Sequence, residues 1–278
     1  MELTFLVDNN ALGGKLLHAE PALSMLIADD ETRVLMDAGY TDAFLNNARR
    51  MGIDLLDIDH VVLSHGHYDH TWGLDALIRH YYEAGRLKLT VPHPTLVAHP
   101  RVFETKFDPN EPEFGPLFSK DKAQRHFNLK LSAEPRWITK RMLFLGEIER
   151  RFDFEATAPS GYRMTAEGSI KDDLLDDSSL VYVTDTGLVV ITGCAHAGVC
   201  NTVEYARQVT GVDKVRAVIG GFHLRNAKPE RLDPTTDYLA NLELEALYPC
   251  HCTDLAAKIA LARKCPVVEA GCGLKLEF

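Results

Sequence analysis

No cysteine occurs before Cys194, and all six lie between that residue and Cys272. A disulfide framework would distribute its bridges more widely, so the pattern points to reduced thiols, with Cys194, Cys250 and Cys252 as candidate site residues. Positive charge is also short: 30 Lys and Arg face 40 Asp and Glu, for a formal charge of −10. Such a field disfavours nonspecific binding to nucleic acid or to an anionic membrane surface. No apolar run approaches the roughly 20 residues that span a bilayer. The opening Met1–Asp8 lacks the basic flank and long apolar stretch of a secretory signal. A cytoplasmic protein with a small-molecule partner, and with neither nucleic acid nor membrane, is the expectation.

What is present is imidazole. The apolar run His60–Leu63 leads into Ser64-His65-Gly66-His67-Tyr68-Asp69-His70. Three histidines and a carboxylate match the nitrogen and oxygen ligands that zinc, iron or manganese prefer, and folding alone does not require that concentration. If residues 61–63 form a buried strand, His65 and His67 leave its carboxyl end pointing the same way and can share an ion. Asp69 and His70 fall where a helix begins and can face a second ion. A plain surface cluster is the competing reading.

The pattern His65-x-His67-x-Asp69-His70 resembles the signature of the metallo-β-lactamase superfamily. The resemblance implies an α/β fold, the αββα sandwich, holding one or two divalent ions, with zinc foremost and iron or manganese as alternatives. Further phrases are similar to the branch of 7,8-dihydropterin-6-methyl-4-(β-D-ribofuranosyl)aminobenzene-5'-phosphate synthases: Gly146–Arg150, Gly193–Gly198, Gly220–Leu224 and Pro249–Thr253. Within that resemblance Asp37, after the second strand of an early hairpin, corresponds to a residue that supports the metal loop without binding metal. An ordinary turn aspartate is the alternative. His196 and His251 correspond to later ligands, so that His65, His67 and His196 would hold one ion and Asp69, His70 and His251 the other. The chain departs from the superfamily where a histidine and a bridging aspartate are usual: Asp176 and Asp177 occupy the first place and Cys194 the second. Either aspartate or the thiol is an additional candidate ligand, and a cysteine used only for packing is the alternative.

At 278 residues and 46% hydrophobic composition, two repeated β/α halves sharing one site predict a single domain, 1–278, with an insertion at about 99–168. That stretch is broken by Pro109, Pro112, Pro116 and Pro135 and studded with Phe103, Phe107, Phe114, Phe118 and Phe127. It reads as a lid over the site, or as a surface insertion packing its aromatics on the core. Arg150 or Arg151 in it suits an anionic substrate group, or is a surface arginine. Strands are expected at 2–7, 24–28, 32–37, 87–91, 179–184, 187–192 and 215–219. Helices are expected at 41–51, 74–82, 198–208, 233–245 and 255–263. The helix after Gly198 should present backbone N–H groups to an anion. His223, at a strand edge after paired glycines, reads as a substrate contact or acid/base residue, or as a structural histidine.

The chemistry these readings favour is hydrolysis of an ester, lactone or phosphate-containing small molecule, with Asp69 and His223 in catalytic roles. A pterin-related C-glycoside synthase and a noncatalytic ligand-binding protein that keeps its metals are the alternatives.

Overall fold

The computed structural model describes residues 1–30, 32–155 and 159–278. Glu31, in the expected hairpin turn, and residues 156–158 of the expected insertion lie outside the described residues. In chain order the first elements are β1 (Glu2–Val7), β2 (Ser24–Asp29), β3 (Thr32–Met36), α1 (Ala43–Arg50), β4 (His60–Val62), α2 (Tyr68–Thr71), α3 (Leu74–Arg86) and β5 (Thr95–Ala98). Then come β6 (Lys106–Phe107), α4 (Lys120–Ala123), β7 (Asn128–Leu131), β8 (Arg136–Trp137), β9 (Met142–Phe144), β10 (Tyr162–Thr165) and β11 (Gly168–Lys171). The last are β12 (Ser179–Thr184), β13 (Gly187–Thr192), α5 (Val199–Thr210), β14 (Val215–Gly221), α6 (Pro229–Asn241), β15 (Ala246–Cys250), α7 (Leu255–Ala262) and β16 (Lys275–Glu277).

The chain divides into two compact units, one formed by Met1–Ser132, Pro159–Asp173 and Gly271–Phe278, the other by Ala133–Ala158 and Leu174–Ala270. Among the described residues, the first unit carries a seven-stranded mixed sheet in the order β16-β1-β2-β3-β4-β5-β7. The pairs from β16 to β3 are antiparallel; β3 to β7 run parallel. Leu35, Val61 and Leu96 from the central strands pack with Phe44, Leu45 and Ala48 of α1 and with Leu74 and Leu77 of α3. The α1 sequence turns one apolar stripe inward because those residues recur at helical spacing, and each fully buried Leu or Phe contributes about 1.5–3 kcal/mol.

The second unit carries a six-stranded sheet in the order β15-β14-β13-β12-β9-β8, with β13, β14 and β15 parallel and the rest antiparallel. All of β13 is buried, which its run Gly-Leu-Val-Val-Ile-Thr requires: a strand covered on both faces shows no polar alternation. Val181, Val190, Val218 and Leu247 pack with Val203 and Ala206 of α5, Leu239 of α6 and Leu261 of α7. Each unit thus repeats one plan, a hairpin followed by parallel strands joined through helices. In open sheets of this kind, ligands gather at the carboxyl ends of the parallel strands.

Three expectations change. Residues 87–91 are not a strand: α3 continues to Arg86, Lys88 adopts φ +62°, and Leu87 and Leu89 are 73% and 53% exposed. Their alternation has no partner to bury it, and β4 pairs instead with the apolar Thr95–Val97. The sixth helix begins at Pro229, earlier than 233, because a proline at the first helical position forfeits no hydrogen bond. Finally, strands from the 99–168 stretch enter both large sheets, as β7 in one and β8 and β9 in the other, while β6, β10 and β11 form a small sheet of their own. A buried ion pair, Lys106 Nζ to Asp172 Oδ2 at 2.6 Å, fastens that small sheet.

Candidate metal centre

The histidine motif of the first unit leaves β4, beside the end of β3. Asp37 follows β3 with φ +57°, a conformation costly for a side chain bearing Cβ and tolerated where neighbours fix it. They do. The Asp37 N–H donates to the Val62 carbonyl at 2.8 Å, and the Asp37 carbonyl accepts the Ser24 hydroxyl at 2.8 Å. Its buried carboxylate accepts from Ser64 N–H (2.8 Å), Ser64 Oγ (2.7 Å) and His70 Nδ1 (2.6 Å).

This network sets two tautomers. With Ser64 Oγ donating to Asp37, the same oxygen accepts from His65 Nδ1 at 3.0 Å. Both His65 and His70 then carry their proton on Nδ1 and present a deprotonated Nε2, the form that binds metal. The three rings lie together, with centroids 4.5 Å apart for His65 and His67 and 4.2 Å for His65 and His70. Asp69 Oδ1 stands 3.8 Å from His70 Nε2. His67 sets its ring edge-on against Phe114, centroids 5.4 Å apart.

The short helix α2 holds this loop against β3. Ala38 N–H donates to the His70 carbonyl at 2.9 Å and Gly73 N–H to the Gly39 carbonyl at 3.0 Å. A Cβ on Gly73 would lie 1.9 Å from the Ala38 carbonyl oxygen, so only glycine permits this approach.

In the second unit, Cys194 and His196 follow β13, His223 follows β14, and His251 and Cys252 follow β15. Ala195, His223 and His251 all take φ between +51° and +53°. Hydrogen bonds lock the three strand ends together: Gly221 N–H to the Gly193 carbonyl (2.9 Å), Phe222 N–H to Thr253 Oγ1 (3.0 Å), His223 N–H to Cys252 Sγ (3.2 Å) and Cys252 Sγ to the Cys194 carbonyl (3.4 Å). The ligand atoms of Cys194 and His196 lie within 4.8 Å of each other, as do those of Cys194 and His251, and all three residues are buried. The His223 ring lies 4.2 Å from that of His196, centroid to centroid, and is half-buried.

Asp177 is buried and accepts the Ala197 N–H at 2.9 Å, so it supports the Cys194–Gly198 loop. Burial pushes its carboxyl up to about 7, against the opposing pull of the Ala197 and His196 amides. Asp176 beside it is also buried. Arg150 is exposed and its Nη2 donates to the Leu174 carbonyl at 3.2 Å.

The expected anion site at the start of α5 is already filled. Glu155, itself buried, accepts Cys200 N–H at 2.9 Å and Asn201 N–H at 2.7 Å. The helix's amino-terminal charge is therefore met by the protein's own carboxylate. Nothing in the sequence around Glu155 signals this, since the pairing spans more than forty residues in an irregular stretch. Ser64 was legible in principle: it is a hydroxyl between a strand and its first histidine.

The donor set fits a divalent cation. Imidazole Nε2 atoms oriented by a carboxylate, carboxylate oxygens and a thiol are the ligands that zinc and iron take up.

This fold agrees with the comparisons. Residues 19–209 match the model of the metallo-beta-lactamase superfamily, and the chain belongs to that superfamily, with its α/β fold of two mixed sheets flanked by helices. It is a metal-dependent enzyme of that class. Among its relatives is the 7,8-dihydropterin-6-methyl-4-(beta-D-ribofuranosyl)-aminobenzene-5'-phosphate synthase of Methanocaldococcus jannaschii, 32% identical over 81% of this chain and 77% of the relative. A solved structure described as Tm1679, a metal-dependent hydrolase of the beta-lactamase superfamily, aligns with a TM-score of 0.82 at 29% identity, covering 100% of this chain and 99% of that one. Zinc-bound PqqB from Methylobacterium extorquens shares the fold at a TM-score of 0.56 and 15% identity, covering 100% of each chain. Among the described residues, no helix is long and apolar enough to cross a membrane.

Proposed function

We propose that the chain is a metal-dependent hydrolase of an ester, lactone or phosphate-containing small molecule. The observation that carries the reading is the Asp37–Ser64–His65/His70 network, which directs two imidazole protons to Nδ1 and readies two Nε2 atoms as ligands. Following the superfamily pattern, His65, His67 and His196 would hold one divalent ion, zinc foremost, and Asp69, His70 and His251 would hold a second. A bound cation of this kind lowers the pKa of water toward neutrality and polarises a substrate oxygen.

The remaining work belongs to the chain. Asp37 and Ser64 keep the ligand rings in one orientation, so that little reorganisation accompanies reaction. His223, half-buried beside His196, holds or delivers a proton at the leaving oxygen. Asp69, partly accessible, accepts a hydrogen bond from the attacking water. An anionic substrate group would be met by side chains such as Arg150. The proposed location is cytoplasmic.

A second reading, a synthase acting on a pterin-related phosphoribosyl substrate, is favoured by the Methanocaldococcus jannaschii relative. One experiment separates the two. Metal content is measured on protein purified without supplement, and turnover is then followed on phosphodiesters, lactones and thioesters, with His67→Ala as control. Hydrolysis abolished by His67→Ala supports the first reading; hydrolysis unchanged by it rejects that reading. Bound metal with no hydrolysis of any substrate turns the case to the synthase or to a noncatalytic binding protein.

A further inference from the structure

Within the first unit, the end of α1, the β1–β2 connection and the approach to β16 enclose a groove of about 850 Å³ that shares no residue with the metal centre. Its apolar lining comes from Leu12, Leu16, Leu17, Met51 and Leu274. Leu16 is 84% exposed, although other apolar side chains lie beside it. Leu17 closes against the chain opposite: a Cβ on Gly273 would lie 2.7 Å from Leu17 Cδ1. Hydrogen bonds pin the connection on both sides of Leu16 and Leu17, from Leu12 N–H to the Cys272 carbonyl at 3.3 Å and from His18 N–H to Asn47 Oδ1 at 2.8 Å. The groove is therefore a formed feature of the scaffold, and its size is that of a small-molecule site.

Its charge is one-sided. Among the described residues, Lys15, Arg50 and Lys275 line it and no carboxylate does, in a chain of formal charge −10. Arg50 Nη1 donates to the Leu16 carbonyl at 2.7 Å, which occupies one guanidinium donor and fixes the group beside the leucines. Lys275 Nζ stands 3.8 Å from Glu2 Oε1, an exposed pair of little strength. Apolar walls with a basic rim complement a molecule that is apolar along its length and anionic at one end.

We propose that this groove binds an amphiphilic monocarboxylate, its alkyl chain against Leu16, Leu17 and Met51 and its carboxylate on Arg50. Lys15 and Lys275 add an attraction that salt screens. The inference is independent of the hydrolase reading.

Calorimetric titration of the protein as purified with hexanoate, octanoate and 1-octanol tests it. One saturable octanoate site is expected, tighter than that for hexanoate by up to about 15-fold for two buried methylenes, with 1-octanol binding more weakly. Octanoate affinity should fall about tenfold in Arg50→Gln, which loses a charged hydrogen-bond donor, and should also fall in Leu16→Asp, which sets a negative charge on the groove. In His67→Ala, which removes a proposed metal ligand, it should be unchanged. Absence of saturable octanoate binding by the wild type overturns the inference, and so does attachment to phosphatidylglycerol vesicles in its place. Octanoate binding that both groove variants keep overturns it too; its loss in His67→Ala would then put the carboxylate at the metal centre. Equal affinity for octanoate and 1-octanol overturns the role of the basic rim and with it the proposal. Should Arg50→Gln not fold, Leu16→Asp decides, since residue 16 is exposed.

Discussion

Replacing Glu155 with glutamine should loosen the start of α5 without touching any histidine. In the native protein the two carboxylate oxygens accept separate amides, Cys200 N–H at 2.9 Å and Asn201 N–H at 2.7 Å. Glutamine keeps one acceptor and turns an NH2 group toward the other amide, leaving one buried donor unsatisfied, at a cost of about 1–3 kcal/mol. Loss of negative charge at the helix start adds about 0.3–1 kcal/mol. Against this stands the desolvation that raises the Glu155 pKa, a cost that glutamine does not bear. At low pH, where the carboxyl is neutral and the charge contribution vanishes, the unsatisfied amide alone sets an expected loss of about 1–3 kcal/mol, and as pH rises the desolvation of the carboxylate in the native protein erodes the difference. The sign follows from linkage: a carboxyl whose pKa is raised in the folded state keeps its proton longer there, so its contribution falls as pH climbs through the folded value. Urea unfolding at several pH values measures the difference. Hydrogen exchange at the Cys200 and Asn201 amides localises it, with faster exchange expected in the variant. Wild-type stability and unchanged exchange in Glu155→Gln would refute the assignment of this carboxylate as the helix cap. So would a Gly198→Ala variant that is tolerated, since its Cβ would lie 2.2 Å from Glu155 Oε2.

Asp37→Asn should lower metal affinity about 10- to 100-fold while leaving the ligand atoms in place, as metal titration of the purified variant would show. Gly73→Ala should destabilise the first unit by several kcal/mol, about 3 or more, because its Cβ meets a backbone oxygen that cannot yield; thermal unfolding reads this directly. Lys106→Met should cost about 3–5 kcal/mol by stranding the buried Asp172 carboxylate, whereas the double change with Asp172→Leu should recover most of it in a denaturation cycle. In chelator-treated protein, Asp177 should make stability fall between pH 4 and pH 7, on the order of 4 kcal/mol if the whole shift to about 7 is expressed. Asp177→Asn should flatten that slope.

The sequence made the superfamily legible because its marks are local. The histidine motif, the Gly-Cys-Ala-His phrase, the Gly-Gly-Phe-His phrase and the Cys-His-Cys-Thr phrase each sit within a few residues of an apolar strand, and a strand followed by a histidine can be read without knowing its neighbours. The hairpins β2–β3 and β12–β13 were legible for the same reason, each being two apolar runs joined by a polar turn. What escaped was decided at a distance. The alternation in Leu87–Val91 looks like a strand, yet β4 selected Thr95–Val97 as its partner. The strands of the 99–168 stretch are short, β8 only Arg136–Trp137, and their membership in a sheet depends on β9 alongside. Asp37 could be read as a turn residue or as support for the metal loop; its hydrogen bonds run to Ser64 and His70, partners that sequence alone does not pair with it. Glu155 was invisible because its partners lie far along the chain.

The left-handed backbone at Asp37, Ala195, His223 and His251 bears on how the protein could be altered. At Ala195, where no hydrogen-bonding side chain would be lost, glycine would ease the local torsion, and a stability-minded redesign would favour it. Yet that would give the neighbouring imidazoles freedom that must be surrendered again whenever a cation arrives. Tension kept in the folded scaffold is what would let a cation be taken up with little rearrangement, so a variant relaxed at Ala195 would fold better and hold ions more loosely.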